Sequence, residues 1–331
     1  MTALCGPNKH LVGRSRVAPS REASLAANAK TLTRQKGRIS VRIRYAVVDV
    51  DDVLIATAET LDAAAEAMFA PLSRRFGQGQ AIAVGREFAR SMAIGIRRLR
   101  ACDRRPDDEY ADLMRRTARW QQGLTEAGFE VKAWSRHALV ACALQACALP
   151  VSAAVVEEAA NQYWATVAAR ATVYPDAALF VRRLRDAGIA IHLATGSDGF
   201  LTFDDARQTF TYVPEESARL KLARLRSLTS LDFGPDDITV ADPVGKPNPD
   251  FYRQVLRRFA AVAGREVVLE RTVVVGDSLT NDILPLLDLG AAHGVWLLRD
   301  GASAVAGSWS HPRVTVASSL DAQEVWNVFS A

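Results

Sequence analysis

The sequence predicts an α/β fold, a doubly wound parallel sheet covered by helices on both faces and interrupted by an all-helical insertion. Two observations carry this. Downstream of residue 172 short apolar runs alternate with stretches of helical spacing, as expected of parallel strands joined by crossover helices. From about Leu61 to Thr172 the chain is rich in Ala and Arg, with helical spacing and no convincing strand. At 331 residues, 49% of them hydrophobic and 24% charged, the chain is long enough for a core domain plus a smaller accessory one.

Taken in order, Tyr45 to Val48 reads as a buried strand that ends abruptly in acids, which places the chemistry at the carboxyl end of a parallel sheet. In the insertion Val155, Ala159, Tyr163 and Val167 recur every four residues after a candidate cap, Ser152, and Pro150 parts this helix from the one before it. A helix over Asp176 to Ala187 turns Phe180, Val181 and Leu184 to one side and stops at Gly188. Strands follow at Ile189 to Ala194, Ile238 to Ala241, Thr272 to Val275 and Val295 to Leu298. Asn248 and Pro249 open a helix bearing Tyr252, Val255, Leu256 and Phe259. In such sheets ligands bind beyond the carboxyl ends of the strands.

Charge is unevenly spread. Residues 1 to 44 hold ten Lys or Arg against the single acid Glu22, a net of +9, so the overall +4 leaves about −5 for the remainder. This arm, residues 1–40, fits a nucleic-acid contact, an organellar transit segment, or a disordered extension or early start codon; its lack of hydrophobic periodicity favours the last. It has no apolar signal core, and cytoplasmic localisation is the default expectation. Charged residues interrupt every apolar run before the roughly 18 to 20 residues that a membrane span needs. Cys5, Cys102, Cys142 and Cys147 lack C-x-x-C pairing, and Cys142 and Cys147 read as small thiols on a helix, so zinc is not expected.

Four constellations carry the chemistry. In Val47-Val48-Asp49-Val50-Asp51-Asp52, two carboxylates two residues apart can face one side, one to attack and one to move a proton. By itself the pair also fits a solvated strand end. Leu193-Ala194-Thr195-Gly196-Ser197 offers a hydroxyl and free amides to an oxyanion, or is an ordinary turn. Gly245-Lys246-Pro247-Asn248-Pro249 sets one lysine before a well-capped helix. Val275-Gly276-Asp277, with Asp282 five residues on, offers oxygen ligands to a hard cation such as magnesium.

In this order, Asp-x-Asp, Thr, Lys and Gly-Asp with a trailing Asp, the chain resembles the haloacid dehalogenase superfamily of phosphatases over residues 45 to about 300. The resemblance implies a Rossmann-like core, residues 41–60 and 172–331, with a helical C1-type cap at 61–171. It makes Asp49 the nucleophile that forms an aspartyl-phosphate and Asp51 the general acid/base. It assigns Thr195, with Gly196, to phosphate binding, and Lys246 to the charge of nucleophile and phosphoryl group. Mg²⁺ is expected on Asp49, the Asp51 backbone carbonyl and Asp277, with Asp282 assisting. The sequence departs from the family pattern at Asp52 and Val53, often Gly and Thr there.

A lid over the site implies a small-molecule phosphate ester more than a nucleic acid or protein. Asp51 speaks against the dehalogenase branch, which has no leaving-group oxygen to protonate. A phosphomutase and a non-catalytic binding protein are the alternatives. Among the cap arginines Arg74, Arg75, Arg86, Arg90, Arg97, Arg98, Arg100, Arg104 and Arg105 a solvated basic face is expected. Structural roles are expected for His137, His192 and His293. The sequence sets neither substrate nor oligomeric state.

Overall fold

A computed structural model describes residues 42–99, 107–299 and 310–330. The basic arm at 1–40, Cys5, Cys102, Arg100, Arg104 and Arg105 lie outside the described residues.

Six strands form one parallel sheet: β1 Tyr45–Val48, β2 Ala190–Gly196, β5 Ile238–Ala241, β6 Thr272–Gly276, β7 His293–Leu297 and β8 Val314–Ala317. Two short strands, β3 Thr202–Asp204 and β4 Thr209–Thr211, make a separate antiparallel hairpin. The main order is β5-β2-β1-β6-β7-β8, with Tyr45 opposite Ala190 on one side and Thr272 on the other. From β1 the chain winds outward through β2 and β5, then returns to the other side of β1 for β6. The switch point therefore lies between β1 and β6, where the carboxyl ends of diverging connections leave a crevice.

All four residues of β1 are buried because both faces are covered. Ala46 and Val48 face a core shared with Phe180, Val181 and Leu184 of α8 (Pro175–Asp186). Tyr45 and Val47 face the opposite core, with Phe251, Val255 and Phe259 of α10 (Pro249–Ala263). The latter helix opens as expected, the Asn248 side chain accepting from Asp250 N at 2.9 Å with Pro249 in the first turn. At the expected stop, Gly188 takes φ +70°.

The insertion is helical throughout its described part: α1 Leu61–Ala67, α2 Phe69–Phe76, α3 Gln78–Leu99, α4 Asp108–Trp120, α5 Gln122–Glu126, α6 Arg136–Ala146 and α7 Ala153–Arg170. Helix α6 is its centre, buried from Arg136 to Leu144, so it has no polar face. Ser135 caps it by accepting from Ala138 N. Cys142 is buried on α6.

Several features differ from the sequence reading. Strand β2 runs through Gly196, two residues further than expected, because Thr195 and Gly196 pair with Val240 and Ala241 of β5. The β3–β4 hairpin, unforeseen, joins the helical layer: Leu201, Phe203, Phe210 and Tyr212 belong to its core, and Thr209 Oγ1 donates to Trp120 O at 3.0 Å. Ser152 stands before α7 but makes no side-chain cap; Asp205 from the hairpin takes Ala153 N at 2.9 Å instead. Strand β8 and the last helix, α12 Gln323–Ser330, also escaped the sequence reading, since their short segments show no long periodic run. Among the described residues no helix is long and apolar enough to cross a membrane.

Candidate active site

At the switch point the chain leaves β1 as Asp49-Val50-Asp51-Asp52. Asp49 N still bonds Val275 O at 2.9 Å, so the ladder with β6 holds Asp49 beside Gly276 and Asp277. A tight turn follows, in which Leu54 N returns to Val50 O at 3.0 Å and Asp52 adopts φ +59°. Aspartate tolerates this left-handed conformation better than most residues, which explains how it stands where the family pattern has glycine. The Asp52 carboxylate accepts from Ala58 N at 2.6 Å and tethers the turn to the start of the insertion.

Two charged networks diverge from these acids. In the first, Lys246 Nζ lies 2.6 Å from Asp49 Oδ1 and 2.7 Å from Asp282 Oδ1. Carboxylate oxygens of Asp49, Asp277 and Asp282 all lie within 4.8 Å of one another. Asp282 comes from a π-helical turn, Leu279–Ile283, that leads into α11, Leu284–Leu289. Ser278 N donates to its other oxygen at 3.0 Å, and Gly276 leaves room for its side chain. Three carboxylates against one ammonium carry a formal charge of −2, and in this site the imbalance is felt. Burial, with Asp282 and Asp51, pushes the Asp49 carboxyl up to about 7 in spite of Lys246. Burial together with Asp282 and Asp49 raises Asp277 well above the carboxylate range. Burial disfavours the Lys246 ammonium, but Asp282 and Asp49 outweigh it and lift that group well above its ordinary value. An all-oxygen donor set with two surplus negative charges fits a hard divalent cation such as Mg²⁺.

The second network holds Asp51, and sequence reasoning missed most of it. Lys221 and Arg224, three residues apart on α9 (Pro214–Arg224), converge on two acids. Lys221 Nζ is 2.6 Å from Asp51 Oδ2 and 3.2 Å from Asp198 Oδ1; Arg224 is 3.3 Å from Asp51 Oδ1 and 2.9 Å from Asp198 Oδ2. Thr57 Oγ1 donates to Asp51 at 2.8 Å. Burial alone raises the Asp51 carboxyl, but Lys221, Arg224 and Thr57 together hold it well below the usual range. Two acids and two cations make this network neutral. No motif marks Lys221 or Arg224 in the sequence; the only local sign is their i, i+3 spacing on one helix face.

The expectation that Thr195 donates to a phosphoryl oxygen meets a different geometry. Lying inside β2 and fully buried, it gives its hydroxyl to Asp51 Oδ2 at 3.2 Å, while Gly196 and Ser197 reach the cavity wall. Thr195 is paired with Val240 as part of the strand, and its buried hydroxyl lies within hydrogen-bond distance of Asp51.

Both networks border one cavity of about 610 Å³, the size of a small-metabolite site. Its roof comes from the insertion. Lys132, in the loop before α6, reaches Pro243 O at 2.8 Å and Asp242 Oδ1 at 3.3 Å, and Ser278 Oγ donates to Leu99 O at 3.2 Å. Arg136, Trp134 and Trp164 line the same roof. Of the cap arginines singled out in the sequence, Arg98 lines the cavity, while Arg74 pairs with Glu158 at the surface. His192 stacks on Phe259 at 5.2 Å and bonds Thr239, and His293 bonds Thr315, so both hold the sheet and its helices together.

A comparison with protein families matches residues 43–290 to the haloacid dehalogenase-like hydrolases. Among curated proteins none matches in sequence. Similar solved structures include a HAD phosphatase from Thermococcus onnurineus, 17% identical, with a TM-score of 0.44 over 84% of this chain and 94% of that one. A haloacid dehalogenase-like family hydrolase from Xanthomonas campestris is 17% identical, with a TM-score of 0.48 over 88% and 94% of the two chains. A 2-haloacid dehalogenase from Pseudomonas syringae pv. Tomato DC3000 is also 17% identical, with a TM-score of 0.46 over 87% and 98%.

Proposed function

The chain belongs to the haloacid dehalogenase-like hydrolases, and within that family we propose that it is a Mg²⁺-dependent phosphatase of a small phosphate ester. The observation that carries this reading is the −2 cluster of Asp49, Asp277 and Asp282 around Lys246, set against a proton-transfer candidate, Asp51, in one cavity.

A divalent cation held by Asp49, Asp277 and Asp282 would supply the positive charge that lets an anionic carboxylate approach an anionic phosphoryl group. The residues do the rest. A carboxylate oxygen of Asp49 attacks phosphorus as the bond to the leaving oxygen breaks, and an aspartyl-phosphate forms. Lys246, 2.6 Å from Asp49, holds the nucleophile and offsets charge on the transferring group. Asp51 gives its proton to the departing oxygen. It then takes one from the water that attacks the aspartyl-phosphate, releasing inorganic phosphate and restoring Asp49.

The environment of Asp51 sets an order on these roles. Bound to Lys221, Arg224 and Thr57 it is ionised, which suits the step in which it deprotonates water. To act as an acid it has to leave those cations and accept a proton, so the first half-reaction requires its side chain to swing toward the substrate. Asp51 also supports a phosphate ester over a haloacid, whose leaving halide needs no proton.

Phosphate release from a panel of sugar phosphates, phosphoglycolate and nucleoside monophosphates, with and without Mg²⁺, tests the proposal. Asp49→Asn is expected to lower Mg²⁺-dependent release by about 10³-fold or more, the scale seen when a nucleophile is removed. Turnover that survives this change, or a product isomerised without phosphate release, sinks the reading.

A further inference from the structure

We propose that Arg136 forms a second anion-binding subsite in the roof, so that the preferred substrate carries a carboxylate or second phosphate on its leaving group; this rests on the phosphatase reading above. Arg136 is the first residue of α6 and is 8% exposed, yet it lines the cavity. Four other cations of the cavity wall, Lys132, Lys221, Arg224 and Lys246, each meet a carboxylate, in pairs with Asp242, Asp51, Asp198, Asp49 or Asp282. Arg136 meets none among the described residues. Its Nη1 donates to Trp134 O at 2.6 Å, and its Nε is buried with no acceptor.

A guanidinium cannot shed its charge by deprotonating, so burying one without a counter-ion is costly. Aromatic rings offset part of that cost. The guanidinium carbon lies 4.7 Å from the ring centre of Trp164, 5.1 Å from Tyr163 and 6.0 Å from Trp134. These rings hold the fork in place but offer it no acceptor, as in a site built to wait for an oxyanion. Trp164 also fixes the subsite relative to the reacting groups. Arg224, bonded to Asp51, lies 5.0 Å from the same ring, which puts the two guanidinium carbons within about 10 Å of each other. Arg136 and Asp49 line the same cavity, so one ligand in it can face both.

The test is calorimetric titration of the Mg²⁺-loaded full chain with matched phosphonates: 3-phosphonopropionate and 4-phosphonobutyrate against propylphosphonate and butylphosphonate, and propane-1,3-bisphosphonate to separate a phosphate preference from a carboxylate one. At least one charged-tail probe is expected to bind tenfold or more tighter than its uncharged counterpart. In Arg136→Gln that gap should fall below twofold while the uncharged probes bind as before, and Arg136→Lys should restore part of it. Melting curves confirm that Arg136→Gln and Arg136→Lys are folded at the titration temperature, so that a lost gap reads as lost binding. Equal binding of charged and uncharged tails, a gap that survives Arg136→Gln, or no binding of any probe overturns the proposal. Phosphate release reports on the other reading separately: a chain that keeps the gap but releases no phosphate defeats the phosphatase assignment alone, and one that hydrolyses charged and neutral esters alike defeats the subsite alone.

Discussion

Replacing Lys221 by methionine removes one charge from a buried network of four and leaves the hydrocarbon stem nearly intact. The side chains of Lys221, Arg224 and Asp198 are 1%, 5% and 8% exposed, and that of Asp51 is 25%. Wild type is neutral here; the variant has two carboxylates sharing one guanidinium. Breaking a buried pair in this way costs about 3–5 kcal/mol, because the remaining charge is left without compensation. That is a large part of a domain's total stability of roughly 5–15 kcal/mol. Urea unfolding at pH 8, with an unchanged slope against denaturant, measures it. The excess carboxylate escapes by binding a proton, which raises its folded pKa above the unfolded value of 3.8. A carboxyl so raised contributes stability at low pH and loses it as pH rises through the folded pKa, so the deficit should shrink from pH 8 to pH 5. Adding Asp198→Asn restores neutrality, and the double variant should recover about 2 kcal/mol or more relative to the sum of the singles. A cost below 1 kcal/mol for Lys221→Met, or strict additivity in the cycle, would refute the charge-balance reasoning and with it the account of why Asp51 is held ionised.

Two further consequences concern the carboxylate cluster and the sheet. A Cβ on Gly276 would meet Asp282 Cβ at 2.4 Å, so Gly276→Ala should displace Asp282, cost about 1–3 kcal/mol in stability and weaken Mg²⁺ binding, read by titration calorimetry. Unchanged Mg²⁺ affinity would remove Asp282 from the cation site. Burial pushes the His137 and His192 imidazoles down to about 4 from 6.5. The unfolded chain then binds more protons between those values, so stability should fall as pH drops from about 6.5 toward 4, by on the order of 3 kcal/mol for each histidine. Melting curves across that range, with His192→Gln flattening part of the slope, check the sign; a flat profile would show that neither ring is held neutral.

The sequence alone carried the α/β fold, since strand ends followed by acids or glycine, and helices opened by Asn248-Pro249 or closed at Gly188, are local signals with local causes. It also carried the four motif positions, and the sheet order explains why they converge: β1 and β6 flank the switch point, so Asp49 and Asp277 emerge side by side from segments more than two hundred residues apart. What no local signal encodes is charge pairing across elements. Lys221 and Arg224 look like ordinary helix cations until α9 is laid under Asp51, and Thr195 looks like a loop hydroxyl until its pairing with Val240 draws it into the sheet. The hairpin at 202–211 shows no long periodicity, and it joins the helical layer only because Phe203 and Phe210 find an apolar surface there. Arg136 is the sharpest case. Its residue type and its place at the head of a helix suggested nothing, and only the folded insertion makes it a buried cation among aromatic rings, because whether a charge has a partner depends on everything that surrounds it.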